Sequence, residues 1–588
     1  MPDSKGKSKA AALVMILTVA AALRVWHWPA RYEVRDVDET GYLSSSLCLV
    51  EGITPGYKPS PAGPQIWLGW AWAEGALVWN ELHPSPEAKT SATPIRVFLA
   101  ADRGLFDLYH DMSRMRQFVV AFNVAISLLA VAAGFGFGAR FGGTAGAIVV
   151  GGLLAACPML VDYADQSRPY AFGWSFAVMA LFAAGIRRAG PGAPTPAASD
   201  SQPQSQTIPT SRGDRLAFWS SAILMGLAIG SRVEMLLMFP LLWWTWSQRP
   251  KPWRRRLLEL PALTCGALFF AYAVAPWLLT GLPGNLRAIA TIQMANPRTA
   301  QITRLSILRE FGYENGLGPV FLGVLAVAGF FAWRPPGRFR SLTLAGLVIL
   351  LTCTVFKSTG FGLHHSGAAV VTVIMGAGAL AGLAKWRPVF VASAVAVIVL
   401  FPLGRSLLMF IPVARHPAIT ASADWVDAHV PAGTPVYTYM TLFKTPLPTA
   451  ADGDRIWGEV TAPDAGRRKF ASGAGRFNLS ADKIPRIMSE ENLVQERGNV
   501  RRFFILGGET DLPAPRYDLQ LIEQSPVFGL KDVAASFSKT GGVVLWRESV
   551  SGPPPAGLGS PAATLHDCDG TGDVLVFCSP ELRAAVNR

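Results

Sequence analysis

"RLAFWSSAILMGLAIGSRVEMLLMFPLLWWTWSQRPKPWRRR", residues 215–256, is apolar for most of its length but is interrupted by Arg232 and Glu234. Read as one membrane span, it would invert the topology of everything after it and carry the basic stretch "RPPGRFR", residues 334–340, out of the cytoplasm. Read as a hairpin of two short spans with Arg232 and Glu234 at its tip, it begins and ends on basic residues. Cytoplasmic loops carry an excess of Lys and Arg, so the hairpin is the consistent reading. An ion pair between Arg232 and Glu234 at the tip is the simplest use of the two charges.

Upstream, Lys5, Lys7 and Lys9 precede a first apolar run over residues 11–28. Its exit, Trp26-His27-Trp28, is followed by acidic residues, which suits a retained span better than a cleaved signal. The chain returns from about residue 115, turns at the Gly-rich "GARFGGTAGA" (138–147), goes outward again at 146–160 and comes back over 169–188 to a basic end. Residues 189–214, rich in Pro, Ser and Gln, read as a disordered cytoplasmic linker. Downstream, further spans fall at 257–279, from about 317 to the basic 334–340, at 341–356, from about 366 to 386, and at 389–411, for a total of about eleven.

Composition agrees with a polytopic helical membrane protein: of 588 residues, 51% are hydrophobic and only 16% charged. The net charge of +13 does not indicate a nucleic-acid partner, because the basic residues recur in short clusters between apolar runs instead of gathering on one face. The cysteines show neither CxxC nor a Cys/His zinc spacing; Cys568 and Cys578 stand in a polar tail and could pair if that tail is extracytoplasmic. From Pro412 the character changes. "ADWVDAHVPAGTPVYTYM" reads as an amphipathic helix, a Pro-Gly turn and a strand, and "RRFFILGG" and "GGVVLWRES" read as further strands, so residues 412–588 are expected to form a soluble extracytoplasmic α/β domain.

The external loop over 29–115 carries the most chemistry. "YEVRDVDETGYLSSS" (32–46) packs Glu33, Arg35, Asp36, Asp38 and Glu39 where the chain leaves the lipid, and Trp67, Trp70, Trp72 and Trp79 follow in a segment that suits the membrane interface. Asp38-Glu39 with Tyr42 after the first span, a Pro-containing amphipathic helix, a span starting at Arg114 and Arg116, the Gly-rich turn and "CPMLVDYADQSRPYAF" (157–172) occur in that order. In that order they resemble the C-type (GT-C) glycosyltransferases, above all the group holding the family 39 protein O-mannosyltransferases and the lipid A aminoarabinose transferase. The resemblance covers residues 10 to about 440 and implies a GT-C transmembrane domain over 1–411 in a bacterial inner membrane, with the active site extracytoplasmic.

What the resemblance implies is transfer of a sugar from a polyprenyl-phosphate carrier to a lipid, glycan or protein acceptor, with inversion and without a nucleotide cofactor. A carboxylate on the acceptor side serves as general base; Asp38 takes that role and Glu39 positions it or pairs with an Arg. The departing phosphate needs positive charge, for which Arg168, Tyr170, Lys357, His364 and His365 are the candidates. Several relatives carry a second Asp at the head of the span where Tyr170 stands here, with Asp162 and Asp165 just upstream. A divalent cation, if one binds, would sit between Asp38 and Asp165, whose hard oxygens suit magnesium, manganese or calcium. The rival classes are a transporter or lipid flippase, against which stands the absence of two related halves, and a non-catalytic scaffold that would not need Asp38.

Overall fold

The structure is a computed structural model that describes residues 4–25, 42–43, 45–46, 49, 62–82, 113–186, 212–249, 253–277, 317, 366–381, 388–413, 418–431, 434–438, 471–472, 514–515, 518–521, 532–548, 552–566 and 573–586. The spans expected near 317–333 and at 341–356 lie outside the described residues. Within them, two helices are long and apolar enough to cross a membrane, in the windows Ser8–Val25 and Arg114–Ala156, and shorter apolar helices run over Tyr170–Gly185, Leu258–Val274 and Ala396–Leu408.

Helix α1, Ser4–Val25, precedes α2, Gly63–Leu82, and the long α3, Ser113–Ala156. α3 is not straight. Gly143 has φ 63° and ψ −151°, a conformation open to glycine and strained for other residues, and the chain reverses there. A methyl group on Gly138 would lie 2.3 Å from the Gly146 carbonyl oxygen, and one on Gly134 would meet Leu154 and Val150, so residues 113–142 and 144–156 are two antiparallel limbs. The expected Gly-rich turn is present because only residues without a side chain allow the two backbones to touch.

α4, Pro158–Ala164, starts on a proline, whose missing N–H falls among the unbonded donors of a first turn. α5, Tyr170–Gly185, is buried along most of its length. α6, Arg212–Ser231, is followed by a 3-10 helix, Val233–Met238, and by α7, Phe239–Ser247; α8 is Trp253–Val274, α9 Ser366–Ala381 and α10 Pro388–Val413. The close approaches at glycines fix the relative direction of the helices. Gly266 meets Ala222, Gly226 meets Phe270 and Gly230 meets Val274, so α6 and α8 are parallel. Gly173 meets Arg232 and Met235 while Gly185 meets Thr245, so the segment between α6 and α8 runs beside α5 in the same sense, and because it ends with Arg249 against Asp214 at the start of α6 it runs opposite to α6. The stretch 215–249 is therefore a hairpin. Its return limb has only nine α-helical residues, but the 3-10 turn rises about 2.0 Å per residue, so the limb regains about 25 Å against the roughly 30 Å of α6.

Arg249 closes the hairpin. Its guanidinium donates to the carbonyls of Ala184 (3.1 and 3.0 Å) and Ile186 (2.9 Å) at the end of α5, pairs with Asp214 at 2.6 Å at the start of α6, and stacks over Trp246 at 4.0 Å. It thus pins together the two ends of the linker. Replacing residues 190–208 by a short Gly-Ser segment should leave the thermal midpoint in detergent within about 2 °C of wild type, since the length of a connection has only a small effect on stability once its ends are held. Arg249→Met should lower it by several times that, as it leaves a buried array of carbonyls without donors.

α1 packs against the second limb of α3, with Arg24 fully buried and donating to Leu154 and Ala155 carbonyls at 3.0 Å. On the outside of the bundle, α8 exposes Leu258, Leu268 and Phe269, and α10 exposes Val397, Leu400, Phe401, Leu407 and Leu408. Apolar faces of this kind are those of helices solvated by lipid.

The C-terminal residues build a mixed sheet in the order β4-β1-β5-β7-β6. Helix α11, Ala418–His429, leads into β1, Pro435–Thr438, which pairs in parallel with β4, Asp518–Leu521, and β5, Val543–Arg547. β7, Val574–Cys578, runs antiparallel to β5 and to β6, Ala563–Leu565. β2 (Ala471–Ser472) and β3 (Ala514–Pro515) form a separate two-residue pair. Helix α12, Val533–Thr540, is capped by Asp532, which accepts from the Ala535 N–H at 2.9 Å. Val426, Val436, Phe537, Val544 and Phe577 share one core with β7. The expected helix, strand and "GGVVLWRES" strand are present; "RRFFILGG" lies outside the described residues. The disulfide offered for the tail is corrected: Cys578 is a free thiol, buried on β7, where burial pushes it up to about 11, partly offset by Arg583.

Candidate functional site

One end of the bundle collects polar side chains from every part of the chain around it. The short loop between α4 and α5, residues 165–169, is buried except for the half-buried Gln166, and Arg168 is 5% exposed. Tyr170, the first residue of α5, stacks its ring on Tyr163 of α4 with centroids 4.4 Å apart and planes 14° from parallel. The Arg232 guanidinium lies 4.1 Å from the Tyr170 ring centroid, and that of Arg168 lies 5.4 Å from it. Two guanidiniums thus share one ring, whose negative face favours them. Arg232 also pairs with Glu234, with side-chain exposures of 5% and 10%, as the hairpin tip was expected to do.

Arg116, at the start of α3 and fully buried, donates to the Asp165 carbonyl at 3.4 Å. Asn123, two turns further along, donates to the Gln166 carbonyl at 2.6 Å. Gln65 of α2 donates to the Ser167 carbonyl. α2 itself lies across the ends of the bundle: the Ala62 N–H bonds Ser231 O at 3.1 Å, the Trp67 indole bonds Val274 O at 2.8 Å, and Gly69 is against Ser46. This is the placement that an interfacial reading of the Trp-rich segment requires. Tyr42 is buried with Ile66 and Trp277, and its phenol is near enough to Arg232 to act on it electrostatically.

Of the residues singled out from sequence, the structure brings Arg168, Tyr170 and Asp165 to this end together with Asp162, whose carboxylate accepts from Gln166 at 2.7 Å. Asp38, Glu39, Lys357, His364 and His365 lie outside the described residues. Among the described residues no three carboxylate, imidazole or thiol groups converge as metal ligands, so this part of the site does not by itself make a divalent-cation centre. Sequence reading undervalued Arg232, taken only as half of an ion pair, and Arg116, taken only as the basic start of a span. It missed Gln65 and Asn123 altogether. The available signal was the presence of carboxamides in two strongly apolar helices, though Asn80 and Gln117 carry the same signal.

What the arrangement can do chemically follows from its charge. Three buried guanidiniums at one mouth, beside the acids Asp162, Asp165 and Glu234, offer a planar array of N–H donors that suits an anion with several acceptor oxygens, of which a phosphate is the common case.

No family model matches the chain, and no curated protein matches it in sequence. Among solved structures it is similar to the oligosaccharyltransferase of Archaeoglobus fulgidus in the apo form, at 12% identity and a TM-score of 0.41 over 75% of this chain and 63% of that one. The same archaeal protein in complex with Zn and sulfate gives 12% and 0.39, over 74% of this chain and 60% of that one. This chain thus spans 60–63% of the length of the archaeal protein in these two structures. It is also similar to ArnT from Cupriavidus metallidurans bound to undecaprenyl phosphate, at 15% identity and a TM-score of 0.38 over 99% of both chains. With TM-scores below 0.5, these likenesses leave the activity to be argued from the residues.

Proposed function

We propose that the protein is a membrane glycosyltransferase that moves a sugar from a polyprenyl-phosphate donor to an acceptor hydroxyl on the extracytoplasmic side. The observation that carries this reading is the pair of buried guanidiniums, Arg168 and Arg232, around Tyr170 at the end of the bundle where Tyr42 also sits. Asp38 is four residues before Tyr42 in sequence, and a chain of that length reaches at most about 14 Å. A candidate base is therefore tethered to the candidate phosphate site.

In this reaction the acceptor hydroxyl gives its proton to the Asp38 carboxylate while its oxygen attacks the anomeric carbon. The bond from that carbon to the phosphate oxygen breaks, and the electron pair leaves with the phosphate. Arg168 and Arg232 stabilise the charge that develops there; Lys357, His364 and His365 supply further donors, and Glu39 orients the base. Attack and departure on opposite faces invert the anomeric configuration. A divalent cation held by Asp38 and Asp165 would supply added charge neutralisation at the phosphate.

The test is transfer by purified protein in lipid nanodiscs from a set of polyprenyl-phosphate sugars. Asp38→Asn should retain donor binding and lose transfer by about 10²–10⁴-fold, the range of a positioned general base. Transfer that survives the substitution removes Asp38 as base, and absence of transfer by wild type with every donor favours a transporter or scaffold.

A further inference from the structure

The loop that presents Arg168 is held in an unusual way. Three successive backbone carbonyls, those of Asp165, Gln166 and Ser167, each accept from a side chain of another element: Arg116 and Asn123 of α3 and Gln65 of α2. Carbonyls beyond the last turn of a helix have no intrahelical donor, so a buried loop after α4 must find donors elsewhere. Arg116 and Asn123 are seven residues apart on a helix and so present one face to the loop.

The two carboxamides are oriented without ambiguity. A carbonyl oxygen accepts only from N–H, so the NH₂ groups of Gln65 and Asn123 face the loop and their oxygens are turned from those bonds. Both residues are at least 99% buried, and among the described residues neither Gln65 Oε1 nor Asn123 Oδ1 has a hydrogen-bond partner. A polar atom buried in that state is destabilising. Residues kept against stability next to a charged group point to a role at that group.

We infer that Gln65 and Asn123 are positioning residues, a clamp on residues 166–167 that fixes the guanidinium of Arg168 toward the donor phosphate. The inference rests on the reading of Arg168 as a phosphate-binding residue. It also accounts for the placement of α2, because this helix, by lying across the bundle end, brings Gln65 onto the loop. Seating of α2 and seating of the phosphate are thereby coupled.

The test is binding of a polyprenyl monophosphate to the full chain in nanodiscs, measured for wild type, Asn123→Leu, Gln65→Met, Arg168→Gln and the two double variants. Asn123→Leu and Gln65→Met should each weaken binding by about tenfold in the wild-type background and leave it unchanged within about twofold when Arg168 is already Gln, the non-additivity expected of residues that act through one another. A purely structural role would weaken binding equally in both backgrounds, and that result, or no weakening at all, overturns the clamp. If Asn123→Leu does not fold, Gln65→Met on the surface-crossing helix decides alone. Failure of wild type to bind the monophosphate instead overturns the phosphate reading of Arg168, a separate outcome.

Discussion

Arg232→Met is expected to cost about 3–5 kcal/mol of stability, because it removes the guanidinium paired with Glu234, whose side chain is only 10% exposed. The double variant Arg232→Met, Glu234→Met should recover most of that loss, since an apolar pair of similar volume commonly replaces a buried ion pair at no cost. Polyprenyl-phosphate binding should stay weak in both, because both lack the guanidinium over Tyr170. Denaturant or thermal unfolding in detergent, read beside binding, separates the two contributions. Equal stability of the single and double variants would show that the loss does not come from the Glu234 carboxylate left behind.

The second large effect is expected at the α3 hairpin. Gly138→Ala would place a methyl group 2.3 Å from the Gly146 carbonyl oxygen, and the obstacle is backbone, so the limbs must separate. Overpacking of a tight core typically costs about 1–3 kcal/mol, and a rigid backbone contact lies at or above the top of that range. Gly143→Ala meets nothing within 4 Å but must adopt φ 63°, ψ −151°, a region nearly confined to glycine, at a strain of about 1–3 kcal/mol. Gly75→Ala, on α2 with open space around it, is the control and should be neutral or stabilising by up to about 1 kcal/mol. The order of thermal midpoints, Gly75→Ala above wild type or equal to it, then Gly143→Ala, then Gly138→Ala, is the outcome to be measured. A Gly138→Ala protein as stable as wild type would mean that the limbs are not in contact.

The parts of the fold that were legible are those written in local pattern. The turn at 138–147 was legible because four glycines cluster between two apolar runs. The hairpin at 215–249 was legible because basic residues flank it at both ends and a charge pair interrupts it. At the site, Arg168 and Tyr170 were legible as a polar break at the head of a span. Arg116, Gln65 and Asn123 were not, because a donor to a distant carbonyl has no local pattern. Cys578 was misread as a disulfide partner: the polar residues around it concealed that "VLVFC" is the largely buried strand β7, flanked by β5 and β6.

Among the described residues, the sequence by itself determined the apolar helices at 4–25, 113–156 and 170–185 and the reversal within 215–249. Each stretch must satisfy its own backbone in lipid, and each basic loop acts on its neighbouring spans alone. Only the tertiary structure decided that Arg232, from the hairpin tip, meets Tyr170 and Arg168, and that α2 and α3 together grip the loop before them. Those contacts join residues up to about a hundred positions apart in the chain, and which helix ends come together depends on how whole helices pack, a property that no single segment carries.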